Sequence, residues 1–194
     1  MSSRENILAA VKKNQPPFSA LPDISVFRVP EADIVKKYSE TFAGIGGLIV
    51  SAGGMEAVKS LIRKNFDQSK RIITSLPDLR EVAELCSPGA DPHSLDDVEL
   101  AIIESRLAVA ENGAVWLTEE VMGQRILPYI AQHLAVIVRE ENIVSTMHDA
   151  YTKIAAEDYG FGGYIGGPSK TADIEQALVL GAHGPLSMTV YLIK

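Results

Sequence analysis

Cysteine is almost absent from this 194-residue sequence, which contains only Cys86. One cysteine cannot form a disulfide within the chain, and it cannot build a cysteine-rich zinc or iron–sulfur site, which needs about four ligands. Cys86 falls on an apolar helical spacing with Leu79 and Val82. This spacing predicts a helix over residues 78–86 and a thiol that packs as a small buried hydrophobe.

Long apolar runs and an excess of basic residues are also missing. No apolar run approaches the about 18 residues that a membrane span needs, and the N-terminal MSSRENILAAVKKN has no apolar core typical of a signal peptide. Lys and Arg total 18 against 25 Asp and Glu, for a net charge of −7. This balance argues against general nucleic-acid binding, which needs a basic face, and we expect a cytoplasmic protein.

The N-terminus differs from the rest of the chain. Ser2 followed by Glu5 indicates a capping box that begins a short helix, and NQPPFSALPD then has the composition of a linker. A chain of this length suits one domain. We therefore expect an N-terminal helix and linker over residues 1–20 and a single α/β domain over residues 21–194.

Helical and strand patterns alternate after the linker. Helical spacing over residues 31–43 and 55–66 alternates with the short apolar runs GLIVS and RIITS, which favours a parallel sheet covered by helices. Asn112-Gly113 lies between two β-prone runs and predicts a hairpin near residues 106–118. LAVIV predicts a buried strand and residues 146–158 a helix. LSMTVYLI predicts a last strand that alternates between apolar and polar positions.

The stretch GGPSKTADIEQALVLGAHGP, residues 166–185, is unusually rich in turn-forming and polar residues. Ser169 or Thr171 can cap a short helix that has Asp173 in its first turn and Gly181 after its end. A glycine-rich turn entering a helix also presents backbone N–H groups that attract anions, and Lys170 adds a positive charge. The spacing is neither a Walker A loop nor a dinucleotide fingerprint.

Two residues are candidates for acid–base chemistry. His183, in Ala-His-Gly-Pro, lies on no apolar stripe, so it is either a hydrogen-bonded loop histidine or a functional group. Glu111 ends the apolar run LAVA just before Asn-Gly. A carboxylate at the mouth of a buried strand is partly desolvated and suits a general base or a nucleophile. The alternative is an exposed hairpin glutamate.

Other polar clusters favour structural interpretations. The glycines of GIGGLIVSAGG, residues 44–54, are more typical of loop closure than of phosphate binding. The segment SPGADPHSLDD contains four residues of types that bind metals, at Asp91, His93, Asp96 and Asp97. They resemble a metal cluster but occur in a turn with helix-cap chemistry. Trp116 is expected to pack in a strand, and His148 falls on the polar side of its helix.

The stretch at residues 166–185 resembles the C-terminal signature of the LUD-domain family, of the lactate utilisation protein C type. That signature is Gly-Pro-Ser-x-Thr-Ala-Asp-Ile-Glu, an apolar run, Gly-x-His-Gly-Pro and a last strand. AENGAVWL is similar to the family's Ala-Glu-Thr-Gly-Thr strand, and LPYIAQHLAVIV is similar to a segment that contains Pro and His. The resemblance extends from about residue 104 to 192. Asn112, Ala114 and Leu186 depart from residues common in the family.

The resemblance implies a fold of the NagB/RpiA/CoA-transferase-like group and a role in oxidising L-lactate to pyruvate. Iron–sulfur clusters would be carried by partner proteins, and no cofactor is expected in this chain. Ala-Glu-Asn-Gly is also close to the Ser-Glu-Asn-Gly segment around the catalytic glutamate of many CoA transferases. The resemblance therefore implies that Glu111 is a base or nucleophile and that His183 is an acid–base group or a hydrogen-bond donor.

The remaining expected site residues would bind a small anionic ligand at the ends of the strands, where open α/β sheets bind ligands. They are Gly113, Gly167, Ser169, Lys170, Thr171, Asp173 and Gly184. Two alternatives remain open. The chain is either a non-catalytic assembly or binding protein for iron–sulfur oxidoreductase partners, or a stand-alone enzyme acting on a CoA ester or sugar phosphate.

Overall fold

The computed structural model describes residues 2–23, 32–89, 91–172 and 178–194. Contacts divide the chain into two compact units, Met1–Pro30 and Glu31–Lys194. The first contains helix α1 (Ser3–Lys13), which begins at the predicted capping box: the Glu5 N–H donates to Ser2 Oγ at 3.3 Å, and the Ser2 N–H donates to Glu5 Oε2 at 2.6 Å. None of the residues of α1 is buried. The predicted domain boundary at residue 20 stays a prediction.

Helices and strands alternate in the second unit, largely as the hydrophobic pattern predicts. Its helices are α2 (Ile34–Gly44), α3 (Met55–Asn65), α4 (Glu119–Met122), α5 (Leu127–Ile130) and α6 (Met147–Ile154). Its strands are β1 (Leu48–Ala52), β2 (Arg71–Thr74), β3 (Glu84–Leu85), β4 (Val98–Ser105), β5 (Ala108–Val109), β6 (Val115–Thr118), β7 (His133–Arg139), β8 (Ile143–Val144), β9 (Gly162–Ile165), β10 (Lys170–Ala172), β11 (Leu178–Leu180) and β12 (Ser187–Ile193). In the part of the chain that is described, no helix has the length and apolar character to cross a membrane.

A six-stranded sheet in the order β1-β12-β7-β4-β2-β3 forms the centre of this unit. Every neighbouring pair is parallel, which confirms the predicted α/β class. The predicted last strand is confirmed as β12, which is buried at every position from Met188 to Ile193, the alternating Thr189 and Tyr191 included. The reason is that both faces of a central parallel strand are covered.

The two faces of the large sheet have different covers. On one face Val58 and Ile62 of α3 pack with residues such as Ile102 and Ile137. On the other, Phe42 of α2 packs with residues of β4, β7 and β12 and with Ala108 of β5. Side chains at successive positions of a strand point to opposite faces, which is why neighbouring residues of one strand belong to different cores.

A second, four-stranded sheet in the order β8-β5-β6-β9 lies against the α2 face of the large sheet. Strands β5 and β6 form the predicted antiparallel hairpin. Ala108 and Val115 face the large sheet, whereas Val109 and Trp116 pack against Ala150 of α6. The prediction that Trp116 packs in a strand is therefore confirmed.

The predicted helix over residues 78–86 is wrong. A short 3-10 helix (Pro77–Leu79) is followed by β3, which pairs parallel with β2. The Cys86 N–H donates to the carbonyl of Thr74 at 2.8 Å, so pairing at the sheet edge prevails over the local helical spacing. Cys86 is half-buried and packs against the core, and burial raises the pKa of its thiol.

Candidate functional site

The described parts of this stretch, residues 166–172 and 178–185, include segments that lie at the amino ends of two parallel strands. The Ser169 N–H donates to the carbonyl of Pro185 at 2.9 Å, and the Leu186 N–H donates to the carbonyl of Gln132 at 2.8 Å. Pro185 and Leu186 precede β12, and Gln132 precedes β7. Open parallel sheets bind ligands at the carboxyl ends of their strands, so this general rule does not support a pocket at the signature.

A hairpin replaces the helix predicted after Ser169. Strand β10 (Lys170–Ala172) pairs antiparallel with β11 (Leu178–Leu180), and Thr171 lies opposite Val179. The capping roles predicted for Ser169 and Thr171 and the helix-ending role of Gly181 are therefore wrong. A short apolar run such as ALVL fits a strand or a helix equally well by pattern, and a cross-strand partner decides between them. Asp173 lies outside the described residues.

Lys170 binds backbone rather than an open anion site. Its Nζ donates to the carbonyl of Ile45, the C-cap residue of α2. A cation at this position also complements the negative end of the helix dipole. The ammonium that the sequence assigns to a ligand therefore joins the hairpin to the end of α2.

Two glycines that the sequence assigns to the site pack against the same residue, Ile45. Gly113 and Gly167 have φ angles of +74° and +76°, which strongly favour glycine. A Cβ at Gly113 would lie 3.0 Å from Ile45 Cδ1, and one at Gly167 would lie 3.0 Å from the Ile45 carbonyl oxygen. The turn beside Glu111 and the signature therefore meet at Ile45, although they are more than 50 residues apart.

Glu111 caps a helix. Its Oε2 accepts a hydrogen bond of 2.8 Å from the N–H of Met147, the first residue of α6. The contact forms because β5 and β8 are parallel, so that the chain leaves both strands at the same edge. The Glu111 side chain is exposed, so the desolvation expected from the sequence is absent. A carboxylate at the N-terminus of a helix is stabilised by the positive end of the helix dipole, so this contact is favourable.

His183 lies in the turn between β11 and β12 and is exposed. The turn is held by Ser169, whose carbonyl accepts from the Gly181 N–H at 3.1 Å and whose side chain packs against Gly184. Among the described residues, His183 has no hydrogen bond or ion pair, and none joins it to Glu111. The catalytic roles of these two residues stay predictions.

A further polar cluster, around His133, lies at the amino ends of the strands of the large sheet. Its Nδ1 lies 2.7 Å from Ser187 Oγ, and its Nε2 lies 3.7 Å from a carboxylate oxygen of Glu99. These residues begin neighbouring strands, so the sheet register brings them together. No local motif in the sequence indicates this pairing, because the three residues are far apart along the chain.

The metal alternative at Asp91 is not supported. Asp91 Oδ1 accepts from the N–H of His93 at 3.0 Å and caps the short helix Pro92–Leu95, as the turn interpretation predicts. Within the described ranges, no three His, Cys, Asp or Glu side chains are grouped closely enough to hold a metal ion.

The described residues form clefts away from the predicted site. One of about 430 Å³ is lined by Arg106, Trp116, Tyr159 and the acidic pairs Glu119–Glu120 and Glu157–Asp158. A smaller one of about 250 Å³ at the carboxyl ends of β2 and β4 is lined by Ser75, Glu104 and Arg106. The predicted site residues line neither cleft. Both acidic pairs are visible in the sequence, Glu119–Glu120 in LTEE and Glu157–Asp158 in AAEDYG. No local pattern indicates that the two pairs line the same cleft.

The family model for the LUD domain matches residues 93–193. The matched range contains every residue that the sequence assigns to the site. The chain is also similar to lactate utilization protein C of Oceanobacillus iheyensis, with 27% identity over 106 residues that cover 50% of this chain and 45% of the relative. Lactate utilization protein C 1 of Bacillus mycoides is 32% identical over 102 residues, or 49% of this chain and 43% of the relative.

The relative in Geobacillus kaustophilus, also a lactate utilization protein C, is 28% identical over 127 residues, covering 60% of this chain and 52% of the relative. The chain thus spans about half the length of these relatives. The crystal structure of a DUF162 family protein from Deinococcus radiodurans superposes with a TM-score of 0.67 at 19% identity, covering 86% of this chain and 100% of that one. This similarity shows a shared fold.

Proposed function

The chain belongs to the LUD-domain family, and from that premise we propose that it acts in the oxidation of L-lactate to pyruvate as an accessory protein that docks iron–sulfur partner proteins. Its relatives named for lactate utilization support the process. The surface around the signature supports the docking role. Iron–sulfur clusters would reside on the partners.

The observation that carries the docking role is an apolar rim around the exposed His183 turn. We use the name signature rim for Tyr129, Leu180, His183 and Leu186. Tyr129, Leu180 and Leu186 are 39%, 48% and 45% exposed. The Leu186 side chain packs against Gly181, and the Tyr129 backbone carbonyl lies near Gly184, so these residues border one turn. Exposed apolar side chains that group in this way are typical of protein interaction surfaces.

The polar contacts of the expected catalytic site favour docking over catalysis. Lys170 donates to the Ile45 carbonyl, and Glu111 accepts from the Met147 N–H. Both charged groups therefore stabilise the fold. A ligand or substrate at these groups would have to displace intramolecular hydrogen bonds, which is unfavourable.

The test uses two rim variants, Leu180→Asp and Leu186→Asp, and measures their affinity for the iron–sulfur proteins of a lactate-oxidising system. We expect each variant to weaken binding about tenfold or more, because a buried charge replaces an apolar anchor. Leu85→Asp is the matched control, since Leu85 is 42% exposed on the edge strand β3. Wild-type affinity in both rim variants, with the fold intact by circular dichroism, would rule out docking through this surface.

Catalysis at the signature is the second candidate, and one observation favours it. The Gly113 turn and Gly167 meet at Ile45, which places the Glu111 loop beside the signature. On this alternative, Glu111→Gln lowers lactate-dependent turnover by roughly 10²–10⁴-fold while partner binding is unchanged. On the docking proposal, Glu111→Gln and His183→Ala retain turnover once the complex is assembled. The two measurements together therefore separate the candidates.

A further inference from the structure

We propose that the cleft of about 430 Å³ lined by Arg106, Trp116 and Tyr159 binds an organic cation, an ammonium or guanidinium group on an apolar stem. We call it the acidic cleft. Arg106 comes directly after β4, so the cleft opens near the carboxyl ends of the parallel strands. This edge is where open α/β sheets bind ligands. The inference concerns a different surface from the signature rim and does not rest on the proposed function.

The charges in the acidic cleft select for a cation. Four carboxylates, of Glu119, Glu120, Glu157 and Asp158, line it together with the single guanidinium of Arg106. Arg106 pairs with Glu120 at 3.4 Å, and Glu119 pairs with Arg125 at 2.8 Å. An anionic ligand would face uncompensated negative charge here, because like charges repel in a cleft more strongly than on an open surface.

Glu157 and Asp158 carry the uncompensated charge. Both are exposed, and among the described residues neither side chain has a hydrogen bond or an ion pair; the one bond of Glu157 is from its backbone N–H to the Ile154 carbonyl at 3.0 Å. They follow α6 and stand on the wall that also contains Tyr159. A cation seated between this wall and Glu119 would be close to carboxylates from two segments that are about 40 residues apart in sequence.

The aromatic side chains provide an independent observation. Trp116 is 7% exposed, lines the cleft, and has an indole N–H without a partner among the described residues. That nitrogen has almost no exposed surface, so Trp116 contributes its ring rather than a hydrogen bond to the cleft. Tyr159 packs edge-on against Trp116 with ring centroids 5.2 Å apart, and both rings attract cations over their faces.

The ligand chemistry follows from these two features together. The carboxylates require a positive group, and the rings favour an apolar stem. A lysine or arginine side chain has both features, and so does a free organic amine. An organic cation is favoured over a metal ion because, within the described ranges, no three potential metal ligands are grouped together.

The test exploits the single tryptophan of the chain, which makes intrinsic fluorescence a direct reporter of this cleft. The probes are N-acetyl-lysine-methylamide, ethanolamine, and the neutral N-acetyl-norleucine-methylamide. We expect the two cations to change the Trp116 emission saturably, in a salt-dependent manner, while the neutral analogue does not. Tighter binding of blocked lysine supports a basic protein segment as the natural ligand, and tighter binding of ethanolamine supports a free amine.

Charge-neutral variants of the acidic wall complete the experiment. The double variant Glu157→Gln and Asp158→Asn should weaken binding of the better cation about tenfold, with no loss of stability, because neither side chain has a partner. Glu140→Gln with Glu141→Gln is the matched control, an adjacent acidic pair on the short helix Glu140–Asn142. Three outcomes would overturn the proposal: an equal response to the neutral analogue, no saturable response to either cation, or an unchanged affinity in the acidic-wall variant.

Discussion

Ile45 shows how a single residue organises the region that contains the expected site. It contacts Gly113 and Gly167, and its carbonyl accepts from Lys170. None of these contacts is visible locally in the sequence, where Ile45 is one apolar residue between glycines. Residues that appear functional by type are here engaged in closing loops, because the last carbonyls of a helix have no partner within the helix and are satisfied by groups from other segments.

Gly113→Ala tests this view at the residue scale. The substitution should lower the free energy of unfolding by about 2 kcal/mol, because a Cβ is strained at positive φ and would press on the backbone of Phe42 at 3.1 Å. For a chain of this size the melting temperature should fall by about 4–8 °C. Thermal unfolding followed by circular dichroism provides the measurement.

Gly44→Ala is the control for that substitution. Gly44 ends α2, and a Cβ there would meet nothing within 4 Å. Alanine should be neutral or should stabilise the helix by up to about 1 kcal/mol. Equal destabilisation by the two substitutions would show that general glycine flexibility, rather than the Ile45 contact and the φ angle, determines the effect.

At the scale of elements, Arg71 joins the edge of the large sheet. It begins β2 and donates from Nε and Nη2 to the two carboxylate oxygens of Glu84 in β3, at 3.1 and 3.0 Å. Its Nη1 donates to Asp97 Oδ1 at 2.6 Å, just before β4. Because β3 has only two residues, this two-pronged ion pair adds to the few backbone contacts that hold the strand to β2.

Arg71→Met should therefore destabilise the fold in a pH-dependent way. The Arg71 guanidinium lowers the pKa of the Glu84 carboxyl below its ordinary value. A lowered folded-state pKa contributes stability above the ordinary carboxyl pKa, and this contribution is lost as pH falls through the folded-state value. We expect a loss of about 1 kcal/mol at pH 7, limited by solvent screening because Glu84 is 55% exposed, and a smaller loss near pH 3.

Urea unfolding of the variant and the wild type at several pH values measures this difference. Arg63→Met is the control, since Arg63 pairs with Glu81 only at 3.7 Å on an exposed surface. Its effect should stay below about 0.5 kcal/mol at every pH. A loss in Arg71→Met that grows as the solution becomes more acidic would contradict the assignment to Glu84.

For the whole molecule, the predicted separation of residues 1–20 from the α/β domain can be tested by deletion. Helix α1 buries none of its residues, so its removal takes little apolar surface out of a core. We expect the chain without residues 2–20 to lose only the helical signal of α1 from its far-ultraviolet spectrum and to melt within about 2 °C of the full chain. A cooperative loss of structure on deletion would show that the first twenty residues are part of the folded domain.

Much of the fold could be predicted from the sequence, but less of the candidate site. The strands β1, β2, β7 and β12, the helices α2, α3 and α6, and the β5–β6 hairpin all follow from spacing that each segment carries by itself. The sequence predicts helices over residues 78–86 and between Ser169 and Gly181, where β3, β10 and β11 form, because a short pattern is ambiguous and the partner strand decides.

The amino-acid sequence by itself determined the α/β class, most of the element order, the hairpin at Asn112-Gly113 and membership of the LUD-domain family, because periodicity and compound motifs are local properties of the chain. Only the tertiary structure decided that the Lys170 ammonium and the Glu111 carboxylate bind backbone groups and that His183 lies exposed among apolar side chains. It also brought two acidic pairs and Trp116 around one cleft. The physical reason is that the partner of a charged side chain comes from whichever segment the sheet register places beside it, and register depends on pairing between residues far apart in the sequence.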